Sequence, residues 1–596
     1  MDVVLSLIWS TFCVSTLSLP RTTHWSLLSH YLKPYRVRIT LLTIVLFATI
    51  AVQVTVPLVT GRFLNAATGS QPMATLIDLA LITIGLALVG QVLAVAETWL
   101  AESVAWDATN ALRIDLVRHL LRLDPTWHAH HTQGDLIERV DGDVATLDRF
   151  FSRFVIVIAG NALLMLTVIG LLFAIDWRIG AGMALFVTVA LVAMLTIRRH
   201  GAPLWEAERQ SSANTYGFIG EHLAGLEDMR ANGGGAWVMR QFTVHLRDWR
   251  TTMHRASMRG YVLFATSEGV FGLAIAFAFG ACALLFQEGS LTLGTAYLIV
   301  RYADMLRRPT EQIRNEVQDL QRADASIGRI ATLRAETPVI MGGSRMDLPP
   351  APLTVDLRGV TFAYDPDEPV LDNVTIHLPA GRVLGIVGRT GSGKTTLGRL
   401  IPRFIDPQAG VVELGGVDVR EFDLGVLRRG IGLVAQDVHL FAATVRDNLT
   451  LFDETVPDER VRQALVEVGL GAWLDRLPEG LQTTIAGANE LSAGQAQLLA
   501  CARLLLQDPV VVILDEASSR LDPASERLLH QAFGRLLAGR TGIIVAHRLE
   551  TFAFADDMLV LERGREVESG PREALAADPD SRFAALLRTN AGEVMA

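Results

Sequence analysis

Apolar positions crowd into the first half of the chain, in six runs: Ile39–Thr60, Leu76–Ala96, Val155–Ile175, Ile179–Ile197, Tyr261–Phe286 and Leu291–Leu306. Most reach the roughly 20 residues that a helix needs to cross a hydrocarbon core. The sixth has few apolar residues before Arg301 and Asp304, so its helix is expected to run on into water. Long polar stretches follow the second and fourth runs. Within them, residues 112–121 and 223–229 keep a helical period, so the membrane helices are expected to continue beyond the bilayer. Turns are expected near Asp124-Pro125 and Thr215–Ile219, with short helices there as docking points for a soluble domain. After the Pro- and Gly-containing stretch Thr337–Pro352 the pattern changes to strands alternating with helices, the mark of an α/β domain.

Charge orients this layout. Basic residues gather before the first run (Arg21, Lys33, Arg36, Arg38). They also gather after the second (Arg113, Arg118, Arg122, Arg139, Arg149) and after the fourth (Arg198, Arg199, Arg209, Arg230, Arg240, Arg247, Arg250), while the other loops carry few. Basic loops stay on the cytoplasmic side. Both termini, both long loops and the second half of the chain are therefore expected in the cytoplasm of a multi-pass inner (plasma) membrane protein. Val3–Leu19 is apolar but lacks a basic leader, which makes it a poor signal peptide. Trp25–Tyr35 is amphipathic and suits an interfacial helix.

Composition adds exclusions. A mean hydropathy of +0.33 with 19% charged residues fits a chain embedded in lipid. A net charge of −10 argues against nucleic acid as the partner, since binding its backbone needs a basic surface. Cys13, Cys282 and Cys501 have no ligand spacing and read as free thiols. His128, His130 and His131 read as a solvated turn rather than a metal site. Ionisable residues in spans are costly. Glu97, Glu102 and Glu268 are the candidates, and Glu268 either lines a translocation cavity or pairs with an arginine on a neighbouring helix.

The second half carries legible chemistry. A short apolar strand, 384–387, leads into Gly388-Arg389-Thr390-Gly391-Ser392-Gly393-Lys394-Thr395-Thr396 and then a helix. That strand–loop–helix context defines a P-loop, whose backbone N–H groups cradle phosphates. Lys394 is expected to bridge the β- and γ-phosphates of ATP and the Thr395 hydroxyl to ligate Mg2+. The apolar run Val510–Leu514 reads as a buried parallel strand. Asp515 at its end is expected in the magnesium shell, and Glu516 is poised to polarise the attacking water.

With these motifs, residues from about 355 to 590 resemble the nucleotide-binding domain of the ABC transporter superfamily, and the whole chain after about residue 20 resembles a half-size exporter. The resemblance implies further roles. Tyr364 is expected to stack on adenine, Gln436 to touch Mg2+ and sense the membrane domain, Asp522 to lie in the D-loop, and His547 to act as the switch beside the γ-phosphate. Leu491-Ser492-Ala493-Gly494-Gln495 resembles the signature, with Ser492, Gly494 and Gln495 facing the nucleotide of a second half-transporter. Metal contacts are thereby assigned to Thr395, Gln436 and Asp515, and catalysis to Glu516 and His547.

The signature departs from the family's Leu-Ser-Gly-Gly-Gln. Ala493 replaces a glycine, Ala496 stands in the usual basic position, and the segment 484–490 lacks the common Gly-Glu pair. In heterodimeric members the chain that keeps the catalytic glutamate often carries the altered signature, so a heterodimer is favoured over a homodimer. The expected fold is α + α/β: an N-terminal segment (1–38), a six-span transmembrane domain (39–335), a linker (336–352) and a P-loop NTPase domain (353–596). The expected function is ATP-driven export of a lipophilic drug, a lipid or another small molecule. An importer on the same fold, as in metal–siderophore uptake, and an ATP-gated regulatory membrane protein remain open.

Overall fold

The computed structural model describes residues 29–288, 291–485, 491–515, 523–546 and 549–593. Val3–Leu19, Cys13, Glu516, Asp522 and His547 lie outside them. By internal packing the chain divides into two compact units. One holds residues up to Arg122 together with His131–Thr337, and the other holds Leu123–His130 together with Pro338–Ala596. Eight residues from inside the membrane half of the sequence thus belong to the second unit.

The first unit is helical. Its elements are α1 (Arg36–Thr68), α2 (Met73–Leu120), α4 (Gln133–Ile175), α5 (Trp177–Ala224), α6 (Leu226–Ala231), α7 (Gly235–Gln287), α8 (Leu293–Met305) and α9 (Arg307–Ala335), while α3 (Pro125–Ala129) falls in the second unit. Among the described residues, five helices are long and apolar enough to cross a membrane. The sixth expected span falls on α8, which runs 13 residues to a one-residue break at Leu306. The helix resumes past Leu306 as polar α9, as the charges at Arg301 and Asp304 foretell.

Helix α2 shows how sequence divides labour along one rod. Leu100, Val104, Ala108, Leu112, Leu116 and Leu120 recur every fourth residue and are buried, forming the stripe that packs inward. Its first half exposes Ile77, Leu81, Ile84, Leu88, Val92 and Val95, as a lipid-facing helix does. The core joins Ile50 and Val54 of α1, Val168 and Leu172 of α4, Ile179 and Met183 of α5, Phe271 and Ala274 of α7, and Ile299 and Tyr302 of α8. Below it, buried Asp143 accepts hydrogen bonds from Ser326 Oγ at 2.8 Å and Arg329 Nε at 2.9 Å, tying α4 to α9. The hydrogen bond to Asp143 raises the Arg329 guanidinium above its ordinary value, against a smaller opposing effect of burial.

The stretch after the fourth apolar run corrects one expectation. Thr215–Ile219 lies inside α5, and the chain turns instead at Gly225 and through residues 232–234. Glu268 pairs with Arg307 at 3.1 Å, the ion-pair alternative. Glu97 is buried and Glu102 exposed.

The second unit is built on two larger sheets. β1 (Val355–Asp365), β2 (Glu368–Leu378), β4 (Ala409–Leu414) and β5 (Val417–Asp418) form an antiparallel sheet in the order β2-β1-β4-β5. β3 (Val383–Val387), β6 (Ile431–Val434), β9 (Val511–Asp515), β10 (Thr541–Val545), β11 (Asp557–Glu562) and β12 (Arg565–Pro571) form the other, in the order β12-β11-β3-β10-β9-β6. A short pair, β7 (Ala443–Thr444) and β8 (Thr484–Ile485), stands apart. All neighbours in the six-stranded sheet are parallel except β11 and β12. Every residue of β3 and β10 is buried, as expected of strands covered on both faces. Val545 pairs with both Asp515 and Ile386, so β3, β9 and β10 end level, and open parallel sheets bind ligands beyond such carboxyl ends.

Candidate nucleotide site

The P-loop leaves β3 at Val387 and turns into α10 (Lys394–Leu400). Gly391 and Gly393 hold φ of +83° and +101°, conformations that favour glycine. A side chain at Gly393 would also strike Val370 O and the Leu371 side chain, both under 3 Å away. Lys394 is buried and donates from Nζ to the carbonyls of Gly388 (2.8 Å) and Arg389 (3.1 Å). Ser392 Oγ is buried with no hydrogen-bond partner among the described residues. Such an orphan costs free energy unless a ligand meets it, and a phosphate oxygen has the chemistry to do so. The cradle therefore fits a phosphorylated ligand.

Beside it lies a cavity of about 930 Å³. Thr395 enters from α10, Tyr364 from the end of β1, Gln436 from just past β6, and Asp515 from the end of β9; Asp437, Phe404 and Ile405 complete that side. The Tyr364 ring is 51% exposed and packs edge-on against Phe362, with ring centroids 4.9 Å apart. Its hydroxyl lies 3.5 Å from Thr396 Oγ1. Another wall is α3 with the residue that follows it, through Pro125, Thr126, Ala129 and His130. The sequence marks a turn and a docking helix there but gives no sign that it lines this cavity, because the residues carry no phosphate-binding pattern.

The signature lies elsewhere. Ser492 caps α11 (Ala493–Gln507), its Oγ accepting from Gln495 N–H at 3.2 Å while Gln495 Oε1 accepts from Ser492 N–H at 3.0 Å. This reciprocal capping box fixes the loop before any ligand arrives. Ala493 is exposed and Gly494 buried. Neither Ser492, Gly494 nor Gln495 lines the cavity. Further along α11, Arg503 donates to Asn448 O at 2.6 Å and His439 O at 3.1 Å. Burial pulls its guanidinium below the ordinary value. Arg503 thus braces the signature helix against the segment that follows Gln436. Of the other expected residues, Arg389, Thr390 and Gly391 are exposed on the loop and Thr396 is buried behind it.

A P-loop facing the carboxyl ends of a parallel sheet, in a chain with membrane-length helices, marks a membrane-embedded P-loop nucleotide-binding protein. Comparison with known proteins identifies which kind. Residues 39–310 match the ABC transporter transmembrane region and residues 371–519 the ABC transporter domain. The chain is 30% identical over 573 residues, 95% of its length and 96% of the relative's, to an ATP-dependent lipid A-core flippase of Ralstonia nicotianae. It is 29% identical over 567 residues to an uncharacterised ABC transporter ATP-binding protein of Bacillus subtilis, covering 93% of this chain and 92% of the relative. A solved bacterial Atm1-family ABC exporter with ATP bound shares the fold, with a TM-score of 0.79 at 23% identity over 93% of this chain and 99% of that one. The chain belongs to the ABC transporter family. It is a multi-pass membrane protein that carries a transmembrane region and an ATPase domain in one chain, and it binds and hydrolyses ATP to drive transport.

Proposed function

We propose that this half-transporter moves an amphipathic lipid, or a lipophilic small molecule of similar character, across the inner membrane by alternating access. The reading rests on one observation above all: Tyr364, Thr395, Gln436 and Asp515, from four separate elements, converge on one cavity beside the P-loop. Tyr364 stacks on the base, and Lys394, Ser392 and the loop amides take the phosphates. Thr395, Gln436 and Asp515 would hold Mg2+, which would offset charge on the phosphate oxygens. Glu516 orients and polarises the attacking water, with His547 beside the γ-phosphate. Ser492, Gly494, Gln495 and Asp522 meet the nucleotide of the paired half-transporter, whose closure on ATP turns the cavity between the membrane domains outward. The basic loops support a cytoplasmic position for the ATPase unit. The lipid class is supported by a relative named as a lipid A-core flippase.

The test is ATPase and lipid flipping with the protein in proteoliposomes. Glu516→Gln is expected to keep ATP binding and cut turnover by about 10²-fold or more, the scale of a lost general base. Lys394→Ala is expected to weaken ATP binding at least about tenfold, some 1.4 kcal/mol. Flipping of a labelled lipid that needs ATP and stops in both variants supports the reading. Full turnover in Glu516→Gln removes it as the base, and ATP-dependent movement from outside to inside makes the protein an importer.

A further inference from the structure

The segment that leads into the second unit is held largely through its backbone. The Ile340 side chain is buried, but Val339 and Met341 on either side of it are 85% and 67% exposed and bury little that would fix them. Instead Val339 N–H donates to Asp124 Oδ2 at 2.6 Å and Ile340 N–H to Asp124 Oδ1 at 3.3 Å. The next carbonyl, Met341 O, accepts from Arg403 Nη1 at 2.7 Å. Asp124 and Arg403 are both buried. Arg403 is also ion-paired with Asp406 at 2.8 Å and holds a φ of +55°, a left-handed conformation uncommon outside glycine. Three successive residues are therefore gripped by two buried charged side chains, and the bonds at Val339 and Met341 fall in the short, charge-assisted class.

Each side chain of this clamp adjoins a wall of the nucleotide cavity. Asp124 directly precedes α3, whose Pro125, Thr126 and Ala129 line it, and Arg403 directly precedes Phe404 and Ile405, which line it too. We propose that Asp124 is a positioning residue for ATP: by pinning the 339–340 backbone beside Arg403, it sets α3 at the distance the nucleotide needs. The inference rests on the reading of this cavity as the ATP site. Asp124 touches no reacting atom. Its loss lets the α3 wall drift, which weakens ATP binding and leaves the chemistry at saturation intact.

The experiment measures the ATP dependence of turnover for the full-length protein in lipid nanodiscs, for wild type, Asp124→Ala, Asp124→Asn and Lys394→Ala. Amide exchange of the peptide spanning residues 338–342 is followed in parallel. Asp124→Ala is expected to raise the KM for ATP about fivefold or more with kcat within about twofold, the split that marks lost uniform binding, and to speed exchange at Val339 and Ile340. Asp124→Asn, which keeps one acceptor oxygen on a stem of equal length, is expected to fall between wild type and Ala. An unchanged KM in Asp124→Ala, with Lys394→Ala raising the KM for ATP about tenfold or more, overturns the clamp and leaves the ATP site standing. A fall in kcat at unchanged KM assigns Asp124 a merely structural role and also overturns it. Normal ATP binding by Lys394→Ala refutes the ATP site itself.

Discussion

Cys501 lies on α11 with no exposed surface, and burial pushes its thiol up to about 12. An unfolded thiol titrates near about 8.5, so between those values the folded protein keeps a proton that the unfolded chain sheds. The stability linked to this proton is fully present below about pH 8.5 and is lost as the pH rises towards the folded value of about 12. Denaturation midpoints are therefore expected to fall more steeply above about pH 8.5 in wild type than in Cys501→Ala. Parallel curves for the two proteins refute this. In the folded protein the same thiol is expected to resist alkylation at neutral pH, because only the thiolate reacts. Residues such as Lys394 and Thr395 are legible in sequence because a P-loop requires them at fixed spacing in one short loop. Asp124 is not legible, because its partners are backbone amides more than 200 positions away and an amide N–H carries no residue type.

At the scale of elements, the contact of α1 with α8 is set by two glycines. A Cβ on Gly61 would lie 2.9 Å from Gly294 O, and one on Gly294 would meet Asn65 Oδ1 at 2.7 Å, the same oxygen that accepts from Gly294 N–H at 2.8 Å. Nearby, Tyr302 donates its hydroxyl to Val54 O at 3.0 Å. Gly294→Leu is expected to force the helices apart at a cost of about 1–3 kcal/mol, the range for overpacking. Tyr302→Phe should cost about 0.5–1.5 kcal/mol, the net worth of one hydrogen bond. Melting temperatures in detergent check both, and an unshifted Gly294→Leu would mean the two helices do not touch here. Periodicity made most helices and the buried strands legible, including the continuation of α2 beyond its apolar run, while the charges at Arg301 and Asp304 foretold that α8 gives way to polar α9. It misled at Thr215–Ile219, after the polar cluster Ser211–Asn214. There the Thr215 hydroxyl bonds back to Ser211 O at 2.9 Å, which lets a small polar side chain sit within a helix rather than end it.

For the molecule as a whole, the open question is its partner. The capping box around Ser492 is intact, so Ala493 leaves the signature helix formed and adds only an exposed methyl group. Whether that methyl group blunts the opposite site is read by assembly. We expect weak Mg2+-dependent ATPase from this chain alone and an increase of about tenfold or more, the scale of one well-made transition-state contact, on co-purification with a second half-transporter. Strong turnover by the chain alone makes it a competent homodimer and Ala493 a tolerated variant.

The polypeptide enters the second unit before Leu123, leaves it after His130 and returns before Pro338. The ATPase is consequently not a cassette that a cut at one point can lift out. A fragment beginning at Pro338 would carry the P-loop, both sheets and the signature helix, yet would leave behind a piece of its own ligand-binding wall. A graft between two half-transporters joined at that point would pair one protein's cavity with the other's α3. Functional chimaeras are therefore expected to need splicing at two places, with Leu123–His130 travelling alongside the C-terminal half, so that substitutions in these eight residues are inherited with the motor rather than with the pore.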